Sequence, residues 1–103
     1  MRKAINFDID TKEYEKFTSK KAPTAYLEIK GFLKKNGFEH RQGSGYVSKE
    51  NLSDRKVTAI IIKMTQKLKW TKYCMKEIDA TNVGKQHSLL NIINESGLSD
   101  LEI

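Results

Sequence analysis

The chain of 103 residues has one cysteine, Cys74, so no internal disulfide can form. It has one proline, Pro23, and only six glycines, which excludes a collagen-like or low-complexity linker composition. No apolar run approaches the ~18 residues that a membrane-spanning helix needs, and no apolar signal-peptide segment follows Met1. Basic residues are absent from positions 86–103, which hold only Glu95, Asp100 and Glu102 as charged groups. A lone cysteine with no membrane segment leads to the expectation of a cytoplasmic protein in a reducing compartment.

What is present is a mixed, charged, globular composition, with 38% hydrophobic and 31% charged residues. At this length one domain is expected, with a core large enough to hold it but little margin. Residues 1–85 carry 19 basic residues against 10 acidic ones, a charge of +9, and the remaining 18 residues carry −3. A basic body suits a polyanion such as RNA or DNA, and a lysine-rich solvated surface is the other reading of the same charge.

The stretch Lys3–Asp10 alternates apolar and polar side chains, the pattern of a half-buried strand. Ile5, Phe7 and Ile9 share one face, and Asn6, Asp8 and Asp10 share the other. Asp8 is therefore a candidate for metal binding or acid–base chemistry, or else a solvated edge residue; Asp10 fits a turn. Residues 10–21 show no clean period and read as a charged loop with at most a helical turn. From Pro23 onward Ala25, Tyr26, Ile29, Phe32 and Leu33 recur at helical spacing, and Asn36-Gly37 is a helix stop. Two short strands over 38–49 meet at a turn of Gly43, Ser44 and Gly45. Ser53 caps a second helix with Val57, Ile60, Ile61, Met64 and Leu68 as its buried stripe. A last strand is predicted over about Lys76–Asn82, with Ile78 and Ala80 on one face and Glu77, Asp79 and Thr81 on the other. Leu89, Leu90, Ile92 and Ile93 suggest a short helix or added strand in an extension over 86–103.

The order strand, helix, strand, strand, helix, strand predicts an α+β chain of the ferredoxin-like βαββαβ type over residues 1–85. Each helix has one apolar stripe, so both should cover the same face of an antiparallel sheet. Asp8 then lies on the bare face.

Three groups of residues carry a resemblance. They are Asn6-Phe7-Asp8 ending the first strand, Gly37-Phe38 followed by Gln42-Gly43-Ser44-Gly45-Tyr46-Val47, and Trp70 followed by Glu77-Ile78-Asp79-Ala80. In this order they resemble the virulence-associated protein D (VapD) family, itself similar to the small CRISPR-associated adaptation nuclease. The resemblance spans roughly residues 3–83. It implies a homodimeric endoribonuclease, typically the toxin of a toxin–antitoxin pair with an antitoxin protein as partner. It places the catalytic aspartate at Asp8, with two copies approaching across the dimer, and Ser44 of the hairpin close by. Where the family often has an arginine in its last strand, this chain has Asp79.

On that basis Asp8 and Ser44 are the expected catalytic residues, with Asp8 also able to hold Mg²⁺ or Mn²⁺. Arg41, Gln42, Gly43, Tyr46 and Lys49 are expected to contact RNA, Tyr46 by stacking a base, with packing in the dimer interface as the other reading of that ring. His40 could act as acid or base if it shares the Asp8 face. His40 and His87 lie too far apart in sequence for metal-ligand spacing. The run from Lys67 to Tyr73 interleaves lysines with Trp70 and Tyr73, which suits a nucleic-acid edge or a helix end plugging the core. Two other functions remain open on the sequence: a non-catalytic nucleic-acid- or partner-binding protein of the same fold, and a CRISPR adaptation subunit.

Overall fold

The computed structural model describes residues 1–84. The reading of 86–103 as a helix or strand lies outside the described residues. The elements in order are β1 (Arg2–Ile9), α1 (Thr11–Thr18), α2 (Ala22–Lys35), β2 (Phe38–His40), β3 (Gly45–Ser48), α3 (Asp54–Lys67), α4 (Thr71–Cys74) and β4 (Met75–Val83). The four strands form one antiparallel sheet in the order β2-β3-β1-β4. This is the ferredoxin-like arrangement expected from the element order.

The core lies between the sheet and the helices. Ile5, Phe7 and Ile9 of β1 are buried together with Ala25, Ile29, Phe32 and Leu33 of α2 and with Val57 and Met64 of α3. The two main helices end where local chemistry stops them. Pro23 sits in the first turn of α2, where its missing N–H costs nothing. Gly37 takes a φ of 87° just after α2, a left-handed conformation that glycine adopts without a Cβ clash. Ser53 caps α3 by accepting a hydrogen bond from the Lys56 amide.

Residues 10–21 correct the expectation of a loop. Asp10 accepts a hydrogen bond from the Glu13 amide and opens α1, which closes at Ser19 in a left-handed conformation. The helix buries only Tyr14, so two turns contain one core side chain and no apolar stripe. Without a stripe there is no period to read. The Tyr14 ring packs edge-on against Trp70 at 4.7 Å, and its hydroxyl donates to Glu28 of α2. Trp70 is thus a core residue, and the short α4 follows it directly.

Lys3 belongs to the covered face of β1 and is buried, although lysine is rarely so. Its ammonium donates to the Asp54 carboxylate at the start of α3 and to the side-chain oxygen of Asn82 on β4. The hydrogen bond from Lys3 holds the Asp54 carboxyl below the usual carboxylate range. One of the basic residues that suggested a polyanion partner is therefore structural. No helix among the described residues is long and apolar enough to cross a membrane.

Candidate active site on the bare sheet face

The side of the sheet away from the helices is set by the alternation of β1. Asn6 and Asp8 are exposed there, while their neighbours Ile5, Phe7 and Ile9 are buried. The register with β4 places Asp79 opposite Asn6 and Glu77 opposite Asp8. Three carboxylates thus gather at the end of β1, and the like-charged pair Asp8–Glu77 is mutually repelling. The register shifts between Asp8 and Ile9, because Lys76 is an extra residue on β4 between the partners of Ile9 and Asp8. A bulge of this kind bends its strand and re-aims the side chains beside it. Asp8 makes no side-chain hydrogen bond among the described residues, so nothing local accounts for it as a turn or cap.

On the other side of β1, pairing with β3 ends at Asn6↔Gly45. Ser44 is the turn residue just before Gly45, at the same end of the sheet as Asp8. A Cβ on Gly45 would lie 3.1 Å from the Gln42 carbonyl oxygen and 3.3 Å from Asn6 Oδ1, so β1 and the hairpin approach closely here. The hairpin turn closes through the Gly45 amide donating to Gln42 O at 2.7 Å, and the Arg41 amide donates to Gly45 O. Gly43 has a φ of 49°. The amides of Gly43 and Ser44 have no main-chain acceptor among the described residues, which leaves two donors at the loop tip. An open depression of about 500 Å³ runs beside the loop, lined by Asn6, Arg41, Gln42 and Gly45 among others. Asp8, Ser44, Arg41, Gln42 and Gly43 are therefore brought to one end of the sheet.

Among the described residues, no group of three or more His, Cys, Asp or Glu side chains is placed to hold a metal ion. Asp8 and Glu77 are a pair of carboxylates at most within one chain.

Endoribonuclease VapD of Dichelobacter nodosus is 38% identical over 80 residues, which cover 78% of this chain and 84% of that protein. The chain belongs to the VapD family. Endoribonuclease VapD 2 of Riemerella anatipestifer is 25% identical over 92 residues, or 88% of this chain and 98% of that protein. No family model matches the chain.

Not every residue expected to contact RNA lies at this end of the sheet. Tyr46 pairs with Ile5 on the covered face and is 3% exposed. Its ring stacks on Phe7 at 6.0 Å and packs against His40 at 4.8 Å, so no ring face is open to a base. Burial also pushes its phenol up from its ordinary pKa. His40 pairs with Tyr46, which puts it on the same covered side and not beside Asp8. Its Nε2 lies 2.6 Å from Gly43 O, so it ties down the hairpin loop. Lys49 lies past the far end of β3, level with Arg2 in the register. That is six residues along β1 from Asp8, roughly 20 Å at the rise of a strand. Lys49 lines a separate cleft with Lys30 and Lys34. Cys74 is buried in the core, and that burial raises the pKa of its thiol.

Asn6 and Glu77 were not singled out as site residues from the sequence. The alternation of each strand marks them as outward-facing, but only the register between strands that are distant in sequence sets them against Gly45 and Asp8.

Proposed function

We propose that this chain is an endoribonuclease that works as a homodimer, with Asp8 as the residue that carries the chemistry. The observation behind this is the exposed Asp8 carboxylate on the bare face, beside a bulge, opposite Glu77 and next to the hairpin loop. The names of the two relatives support the reaction class. RNA contains its own nucleophile, the 2′-OH. In this reading the Asp8 carboxylate accepts the 2′-OH proton as that oxygen attacks the adjacent phosphorus; the P–O5′ bond breaks, the 5′-oxygen leaves with a proton taken from water, and a 2′,3′-cyclic phosphate remains on the upstream fragment. The Gly43 and Ser44 amides and the Ser44 hydroxyl donate to the phosphate oxygens, where charge builds up. Arg41 and Gln42 hold the flanking backbone in the depression beside the loop.

Asp8 and Glu77 are carboxylates, the hard oxygen donors that suit Mg²⁺ or Mn²⁺. Bound there, such an ion would offset the negative charge of the carboxylates and of the scissile phosphate. The remaining ligands would come from water, RNA and the Asp8 of a second copy. Cleavage of RNA by the parent chain and by Asp8→Asn, with either ion present and with both chelated, is the test of this reading. The toxin role and the antitoxin partner come with it, since unopposed RNA cleavage arrests growth.

The dimer reading is supported by the sheet face that the helices leave open, where a second copy would bring its own Asp8 beside the first. Faces that carry three carboxylates each repel, so a divalent cation should favour association. Light scattering over a concentration series is expected to give twice the chain mass, more readily with Mg²⁺ or Mn²⁺. A monomer at micromolar concentration under both conditions would remove the paired site.

Binding to RNA should be largely electrostatic, given the +9 body. The logarithm of affinity is expected to fall with the logarithm of salt concentration, by about 0.7 per phosphate neutralised on a single strand. Affinity that does not change with salt would favour the protein-binding alternative.

A further inference from the structure

Two aromatic rings stand out of the helical layer with no core to fill. Phe17 of α1 is 56% exposed and Tyr73 of α4 is 63% exposed. They stack on each other, with ring centroids 5.1 Å apart and an interplanar angle of 30°. The ammonium of Lys72 lies 5.9 Å from the Tyr73 centroid, within the range of a cation–π contact. Here the pair is preformed, and both residues remain more than half exposed.

The position of the pair links it to the site. The Asp10 amide donates to Cys74 O at 2.7 Å, and Ile9 pairs with Met75. Tyr73 therefore sits at the end of the sheet where β1 delivers Asp8. Glu77 is four positions further along the chain, a span of at most ~14 Å. The carboxylates at this end of the sheet, Asp8, Glu77 and Asp79, belong to its bare face and not to the helical layer that carries the two rings. The carboxylates of α1 are engaged, Glu13 with Lys16 and Glu15 with the Ala22 amide. Lys69 and Lys72 form no ion pair among the described residues. Flat aromatic faces flanked by unpaired cations fit a nucleobase and its phosphate. A protein partner would be expected to meet an apolar patch with a less basic rim.

We propose that Phe17 and Tyr73 form a stacking platform for an unpaired base of the RNA, so that the chain selects RNA single-stranded next to the cleavage point. This rests on the endoribonuclease reading and adds the form of the substrate. In duplex RNA the bases are stacked on one another and their faces are closed to the rings. The neighbouring lysines hold the phosphates on either side of the seated base.

The test uses the full chain carrying Asp8→Asn, so that RNA is bound and not consumed. Fluorescence anisotropy is read with a labelled unstructured RNA and with the same RNA annealed to its complement. Leucine keeps apolar bulk but offers no ring face. Phe17→Leu and Tyr73→Leu are each expected to weaken binding of the single strand about 5- to 100-fold, the usual range for one stacked base. Duplex affinity should stay within about twofold. Tyr73→Trp should bind the single strand at least as well as the parent. Single-strand affinity unchanged in both leucine variants would overturn the platform and leave the endoribonuclease reading standing. So would equal losses on single strand and duplex, or a leucine variant that changes the oligomeric mass, which would assign the rings to a second copy. Failure of the parent chain to bind or cut either RNA would overturn both readings together.

Discussion

Asp8→Asn is expected to fold at least as well as the parent and to lose RNA cleavage by about 10²- to 10⁴-fold, the usual contribution of a positioned general base. The two halves of this expectation have different sources. Stability follows from the sheet register: Asp8 faces Glu77 across β1 and β4, and no hydrogen bond to Asp8 offsets the repulsion. Removing one charge from such a cross-strand pair is worth a few tenths of a kcal/mol up to ~1 kcal/mol. A dimer joined through this face would add the repulsion of a second Asp8. Activity is lost because an amide neither accepts the 2′-OH proton nor binds a cation well. Glu77→Gln relieves the same repulsion and leaves the Asp8 carboxylate in place, so its melt without metal tests the stability half of the expectation by itself. Thermal melts run beside a cleavage assay decide the matter. A destabilised but fully active Asp8→Asn would make Asp8 structural and end the catalytic reading.

Phe38→Ala should be the most damaging of the changes considered for the fold. Phe38 is 0% exposed, starts β2 directly after the Gly37 turn, and packs under α2. Truncating a buried phenylalanine costs about 3–5 kcal/mol, through lost transfer energy and the cavity left behind. Set against a total of ~5–15 kcal/mol for a domain, that is a large share. At ~4–8 °C per kcal/mol for a domain of this size, Tm should fall by roughly 12–40 °C. Phe17→Ala should cost no more than ~1.5 kcal/mol, the worth of a stacked aromatic pair. Circular dichroism melts of the two variants make the comparison. Similar small losses in both would contradict the placement of Phe38 in the core.

Phe17 and Phe38 also show where the sequence is informative and where it is not. Phe38 follows a helix stop and begins a short strand, and its burial is consistent with that reading. Phe17 lies in a segment whose only core residue is Tyr14, and its exposure has no local signature. The same holds along β1, where strict alternation identifies Ile5, Phe7 and Ile9 as core and Asp8 as outward-facing. For Tyr46 alternation was not enough. Its place in a polar hairpin suggested a base-stacking ring, and the pairing with Ile5 turned it inward against Phe7.

By itself the sequence determined the order of the main elements, the caps at Ser53 and Gly37, the ferredoxin-like class, the outward direction of Asp8 and the kinship with the VapD family. These are local or periodic properties, written in neighbouring residues. Tertiary structure alone decided that Glu77 opposes Asp8, that Asn6 meets Gly45, and that Lys3 is a buried partner of Asp54. It also sent Lys49 to the far end of the sheet and His40 to the covered side, and it brought Phe17 against Tyr73. Each of these depends on register or packing between segments distant in the chain. One residue of slip in a strand pairing reverses which face a side chain occupies, and nothing local in the sequence records that choice.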